Sequence, residues 1–229
     1  MQRNIAKNDI RVLGYVLRRT NYSEADRIIN LITPMGKISA IAKGVRKEKS
    51  KLAGGIEMFT LSDYNIHCGK SELGVITSVR MVKHFGEIIK DLSKLEIAGN
   101  FLRQVNKYAE GSDSPDFFQI IDQCFNGLND GANVEVIEGW FWLNLVKAHG
   151  GEINLYRDVH GEKLSADFNY NWDLGEEGFV QAEGGEYGAN EIKMLRLMYV
   201  SELNVVKRIK TDGDLVAKVL KLARIAAKV

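Results

Sequence analysis

Five strand-like segments, separated by turn signals, fill the first 83 residues of this 229-residue chain and constrain its fold more than any other feature. Ile10–Arg18 is apolar on both parities, with Ile10, Val12 and Val16 on one side and Leu13, Tyr15 and Leu17 on the other. Arg27–Thr33 is rich in Ile, and Lys37–Lys43 alternates Ile38, Ala40 and Ala42 with Ser39, Ile41 and Lys43. Thr33-Pro34-Met35-Gly36 between them reads as a turn, because Pro34 fixes φ and Gly36 accepts a positive one. Gly54-Gly55 breaks the chain. Ile56–His67 and Leu73–Val82 then form a hairpin around Cys68-Gly69-Lys70-Ser71. Five short strands at this spacing predict a small barrel, and a five-stranded OB-fold is the economical choice.

From about Ser93 the period becomes helical. Ser93-Lys94-Leu95-Glu96 has the form of a capping box, and Leu95, Ala98, Leu102 and Val105 follow at helical spacing. Ser114-Pro115 opens a second helix whose apolar side is Phe117, Phe118, Ile121 and Phe125. Val134–Ala148 is a third, ended by His149-Gly150-Gly151, and two more span about Ala189–Ser201 and Gly213–Lys228. Trp140-Phe141-Trp142 covers most of the circumference of the third helix, which predicts a helix that is buried or meets a partner, the core being the preferred assignment. Residues 152–188 are rich in Gly, Asn and acids and read as irregular. The expected class is α+β: an OB-fold domain over residues 1–83, then an all-helical domain over 84–229 with an irregular insertion, the boundary lying near 83–92.

Apolar residues at 45% and charged residues at 27% are ordinary for a globular protein, so disorder is not the default. No apolar run approaches the roughly 18–20 residues that span a bilayer. The N-terminus is polar and has no signal-like apolar stretch. Cys68 and Cys124 are isolated and form no CxxC pair, which suits a reducing cytoplasm.

Charge is divided unequally. Residues 1–90 carry a net charge of +8 and the remainder −7, although the whole chain is only +1. The excess peaks in Lys37–Lys51, where Lys37, Lys43, Arg46, Lys47, Lys49 and Lys51 face one acid, Glu48. A concentrated cationic loop on a near-neutral chain suits a polyanion. Beside a barrel, such cations neutralise phosphates and release counterions. Arg18 and Arg19 extend the candidate patch. OB-folds commonly set stacking aromatics on the barrel face, and the candidates here are Tyr15, Tyr22 and Tyr64, with Phe59 assigned to the core.

The order Tyr22-Ser23-Glu24-Ala25-Asp26, then Leu31-Ile32-Thr33-Pro34-x-Gly36-Lys37-Ile38, then Ala42-Lys43-Gly44-Val45-Arg46-x-x-Lys49-Ser50, resembles the N-terminal domain of the bacterial RecO family of recombination mediators. The resemblance is good over about residues 10–85 and weaker through the helical region. It implies an OB-fold followed by a helical domain, and binding and annealing of single-stranded DNA. It also implies contact with RecR and with the tail of the single-strand-binding protein, and help in loading the RecA recombinase at gaps. It places the protein in the bacterial cytoplasm, on the nucleoid during repair. Many RecO-like sequences carry two CxxC pairs that bind zinc in the helical domain. This chain has Leu155–Gly161 and Gly178–Gly184 in their place, with no cysteine. Structural zinc needs about four N/S ligands, and Asp158 and His160, even with His149 and Glu183, are a poor set. No metal is expected there, and packing of Tyr156, Phe168, Trp172 and Phe179 is the expected substitute.

No catalytic constellation is visible. The four His lie apart, there is no HExxH, and Gly44-Val45-Arg46-Lys47 lacks the spacing of a phosphate-binding loop. The expectation is a mediator without enzymatic activity or cofactor. The alternatives are a protein–protein adaptor whose basic loop meets an acidic surface, and an OB-fold RNA-binding module, which the 2′-OH would distinguish.

Overall fold

A computed structural model describes residues 9–69 and 73–228; the expected turn residues Lys70 and Ser71 and the polar N-terminal segment lie outside them. The strands β1 (Asp9–Asn21), β2 (Arg27–Thr33), β3 (Gly36–Ala42), β4 (Thr60–His67) and β5 (Gly74–His84) close into a barrel in the order β1-β2-β3-β5-β4. All pairings are antiparallel except β3 with β5, which is the OB arrangement. Its first strand is long enough to serve two neighbours. Asp9–Tyr15 pairs with β4 and Tyr15–Asn21 with β2, the second ladder carrying a bulge between Val16 and Arg18. Bulges bend a strand and increase its twist, which closure of so small a barrel requires. The interior is filled by Val12, Val16, Ile29, Leu31, Tyr64 and Ile66, together with Val45 and Ile56 from the β3–β4 connection.

Helices α1 (Gly86–Ile89), α2 (Leu92–Tyr108), α3 (Asp116–Asn129), α4 (Val134–Ala148), α5 (Ala189–Val200), α6 (Leu203–Val206) and α7 (Gly213–Ala226) follow. The start of α2 differs from expectation. Asp91, not Ser93, is the cap: its carboxylate accepts the amides of Ser93 and Lys94 at 2.9 and 3.2 Å. The chain divides into two compact units, one running through Phe125 and one from Asn126, a division that falls inside α3. The barrel's unit thus takes in α2 and most of α3.

In the second unit α4 is buried on nearly all sides, including Trp140, Phe141 and Trp142. Residues 152–188 are more regular than composition suggests. They hold a hairpin of β6 (Tyr170–Asp173) and β7 (Gly178–Gln181), with isolated bridges Arg157↔Lys163 and Asp158↔Phe179. Phe179 is its centre, with the rings of Tyr170, Trp172 and Tyr187 at 5.1–6.1 Å. Tyr156 and Phe168, expected in this packing, are exposed instead. Tyr156 carries the Arg196 guanidinium 4.7 Å above its ring. The residues here do not fit a four-ligand zinc centre. Asp158 is engaged as a turn acceptor for the amides of His160 and Glu162, and among the described residues no three His, Cys, Asp or Glu side chains converge.

Candidate nucleic-acid interface

Strand register places the two connections that matter at one end of the barrel. Arg27 is opposite Asn21 on β1 and opposite Ala42 on β3, so residues 22–26 and the start of 43–59 emerge side by side. They are tied together. The Asp26 carboxylate accepts the Gly44 amide at 2.7 Å, the Arg46 amide donates to the Ala25 carbonyl at 3.0 Å, and the Arg46 guanidinium donates to the Ser23 carbonyl at 3.0 Å. Within the loop the Lys47 amide closes a turn on the Gly44 carbonyl, and the Ser50 amide does so on that of Lys47. Gly44 has φ of +64°, a conformation that a side chain would strain.

Apolar residues anchor the loop from below. Val45 and Ile56 enter the barrel core, and Leu52 packs partly against it. The polar residues between are left outside, so Lys43, Arg46, Lys47, Lys49 and Lys51 are all exposed. Among the described residues none of these five cations enters an ion pair. The second unit behaves differently. There Lys207, Lys218, Lys221, Arg224 and Lys228 are matched with Asp130, Asp214, Glu186, Glu138 and Glu177 at 2.7–3.0 Å. Those five cations of the second unit are compensated by carboxylates, whereas the five of the loop are left open, where a phosphate chain can meet them.

Several candidates are placed elsewhere. Lys37 is not part of the open patch: its side chain is only 8% exposed, its ammonium donates to the Asn106 carbonyl at 2.9 Å and pairs with Glu110. Arg19 is paired with Glu57 at 2.8 Å. Arg18 is exposed but sits opposite Asn30, three residues in from the loop end of β1. Tyr15 and Tyr64 do not offer their rings to bases. Tyr64 lies inside the barrel and donates to the Gly55 carbonyl at 3.1 Å; burial pushes its phenol up. Tyr15 points outward but is covered by α3, packing on Phe118 and Phe125 and donating to Asp122 at 2.5 Å. Its phenol is pushed up strongly by burial and by that carboxylate. Phe59 is core, 5.7 Å from Phe125. Tyr22 remains, 59% exposed and next to the clasp.

The outer face of β2 and β3, where OB-folds often take their ligands, is occupied in part. Asn30 and Lys37 bond to Asn106 of α2, and a Cβ on Gly36 would lie 2.3 Å from the Ser112 carbonyl oxygen. The open cationic surface is therefore the rim formed by 22–26 and 43–51. On another face of the barrel, Arg11 binds Asp63 through both its Nε and Nη2, which holds that carboxyl below its usual range. Arg80 lies 3.7 Å from the same carboxylate. Sequence reasoning passed over Asp26. Asp26 stands in the Tyr22–Asp26 motif, but 18 positions separate it from Gly44 and only register shows that the two meet.

Comparison with known proteins agrees with this architecture. The family model described as "Recombination protein O N terminal" matches residues 8–85, which is the barrel. A DNA repair protein RecO of Dehalococcoides mccartyi (strain CBDB1) is 28% identical over 222 residues, covering 92% of this chain and 86% of its own. That of Roseiflexus sp. (strain RS-1) is 29% identical over 147 residues, 64% of this chain and 52% of its own. That of Acetivibrio thermocellus is 35% identical over 100 residues, 43% of this chain and 39% of its own. The match runs through the barrel and, in the longest of these alignments, through the helical unit: the barrel is a RecO N-terminal domain, and the chain as a whole is similar to DNA repair proteins of the RecO type.

Proposed function

We propose that this protein is a non-catalytic recombination mediator that binds single-stranded DNA on the rim formed by 22–26 and 43–51 and promotes annealing. The observation that carries this reading is the set of five exposed loop cations without carboxylate partners among the described residues. Phosphates replace the missing partners and release their counterions. Tyr22 is placed to stack on a base, which adds affinity with little sequence preference. Because the protein touches the backbone, the base edges stay free, and neutralising strand–strand repulsion lets complementary strands pair. Fluorescence anisotropy of a labelled single strand at several salt concentrations tests this. With four phosphates engaged, log K falls with log salt at a slope of about −3, and annealing of complementary strands accelerates. A folded protein that fails to bind at low salt overturns the reading.

The finer roles belong to the same proposal. The protein acts in the cytoplasm with RecR, on gaps coated by single-strand-binding protein, and helps RecA indirectly. No helix among the described residues is long and apolar enough to cross a membrane. A groove of about 380 Å³ between α5 and the start of α7 suits the acidic, apolar tail of a single-strand-binding protein. Met194, Leu197 and Leu215 supply apolar surface, and Lys193 and Lys210 supply charge. The one acid lining it, Asp212, is occupied in capping α7 at the Leu215 amide, 2.8 Å away. Loss of one charge-assisted hydrogen bond in Lys210→Glu is expected to weaken binding of a labelled tail peptide about tenfold. Unchanged peptide affinity moves the tail elsewhere.

A further inference from the structure

We infer that Asp26 is a positioning residue for the cationic loop: it raises DNA affinity by holding the loop in place, against the effect of its own negative charge. The inference rests on the DNA-binding reading above.

Asp26 is the last residue before β2, and the β2–β3 register sets it beside the start of the basic loop. Its Oδ1 accepts the Gly44 amide at 2.7 Å. Gly44 is where the chain leaves β3 in a left-handed conformation, and everything beyond depends on its direction. Val45 turns into the core, Arg46 turns back to the Ala25 and Ser23 carbonyls, and Lys47 closes the turn on Gly44 and faces water. Among the described residues Asp26 enters no ion pair, so its carboxylate serves the backbone and neutralises no cation of the loop.

Charge and geometry predict opposite results. By charge alone, an acid next to five cations opposes a polyanion, and its removal strengthens binding. By geometry, its removal frees a run of lysines whose ordering must then be supplied by the DNA, and binding weakens. Asn separates the two effects, because its amide oxygen still accepts the Gly44 N–H while its charge is zero.

The experiment compares full-length wild type, Asp26→Asn and Asp26→Ala in anisotropy titrations with a labelled oligothymidylate at several salt concentrations. Asp26→Asn is expected to bind as tightly as wild type or a few-fold tighter. Asp26→Ala is expected to bind about five- to tenfold more weakly than Asp26→Asn, with the same salt slope, because the same cations engage after a larger ordering cost. Equal affinity of the Asn and Ala variants overturns the inference. Amide hydrogen exchange of Gly44 in the wild type is a second test that needs neither a variant nor DNA. Protection well above that of the loop tip around Lys49 is expected, and equal exchange overturns the clasp. If the wild type shows no salt-dependent binding, the DNA reading fails while Gly44 exchange still decides the clasp.

Discussion

The double variant Lys47→Glu, Lys49→Glu should bind single-stranded DNA about a hundredfold more weakly than wild type at about 50 mM salt. Each phosphate neutralised on a single strand contributes about 0.7 to the salt slope, which over the interval from about 50 mM to 1 M amounts to roughly an order of magnitude in affinity. Leaving two phosphates without their cations therefore removes about two orders, and reversal adds repulsion on top. The slope itself is expected to fall from about −3 to about −1.5. Stability should hardly move, because both side chains are exposed and neither enters an ion pair among the described residues. The annealing rate should drop with affinity. A folded double variant with unchanged affinity and slope would remove the loop from the mechanism and favour an adaptor role.

The barrel was legible in the sequence because its strands are short, apolar and punctuated. Residues Arg27–Thr33 form β2 with the expected ends, and the Pro34-containing turn leads directly into β3. The cationic loop was legible because a run of like charge has no place in a core. What could not be read was what covers what. Tyr15 has the period of an outward strand residue, yet a partner 107 positions later, Asp122, buries it. Lys37 belongs to the basic run by composition, but Glu110, 73 positions later, takes its charge. The hairpin of β6 and β7 escaped notice for a different reason. Its strands have four residues each, too few for alternation to register, and they are held by one ring, Phe179, with neighbours on several sides. Local patterns specify elements and charge; long-range packing decides which side chains are left for function.

Arg224→Ala is expected to destabilise the second unit by about 3 kcal/mol, near the lower end of the range for breaking a buried pair. The reason lies in α4, whose buried circumference contains one acid, Glu138. That side chain is 8% exposed and accepts three hydrogen bonds: from Trp142 Nε1 at 3.1 Å, and from Arg224 Nε and Nη2 at 2.9 and 2.8 Å. Removing the arginine leaves a carboxylate in an apolar layer with one indole N–H, and the desolvation of that charge is no longer offset. The cost is moderated because Arg224 is 49% exposed, so water can follow the guanidinium out. The double variant Glu138→Gln, Arg224→Leu separates charge from packing. Gln keeps an oxygen for the Trp142 N–H, and Leu keeps much of the apolar stem of Arg224. Its stability should return to within about 1 kcal/mol of wild type, since a buried pair replaced as a whole costs little. The readout is favourably placed: all three tryptophans, Trp140, Trp142 and Trp172, lie in the second unit, so tryptophan fluorescence during urea unfolding follows that unit alone. If the double variant is as unstable as Arg224→Ala, the uncompensated charge is not the cause, and the arginine stem is what α4 and α7 require.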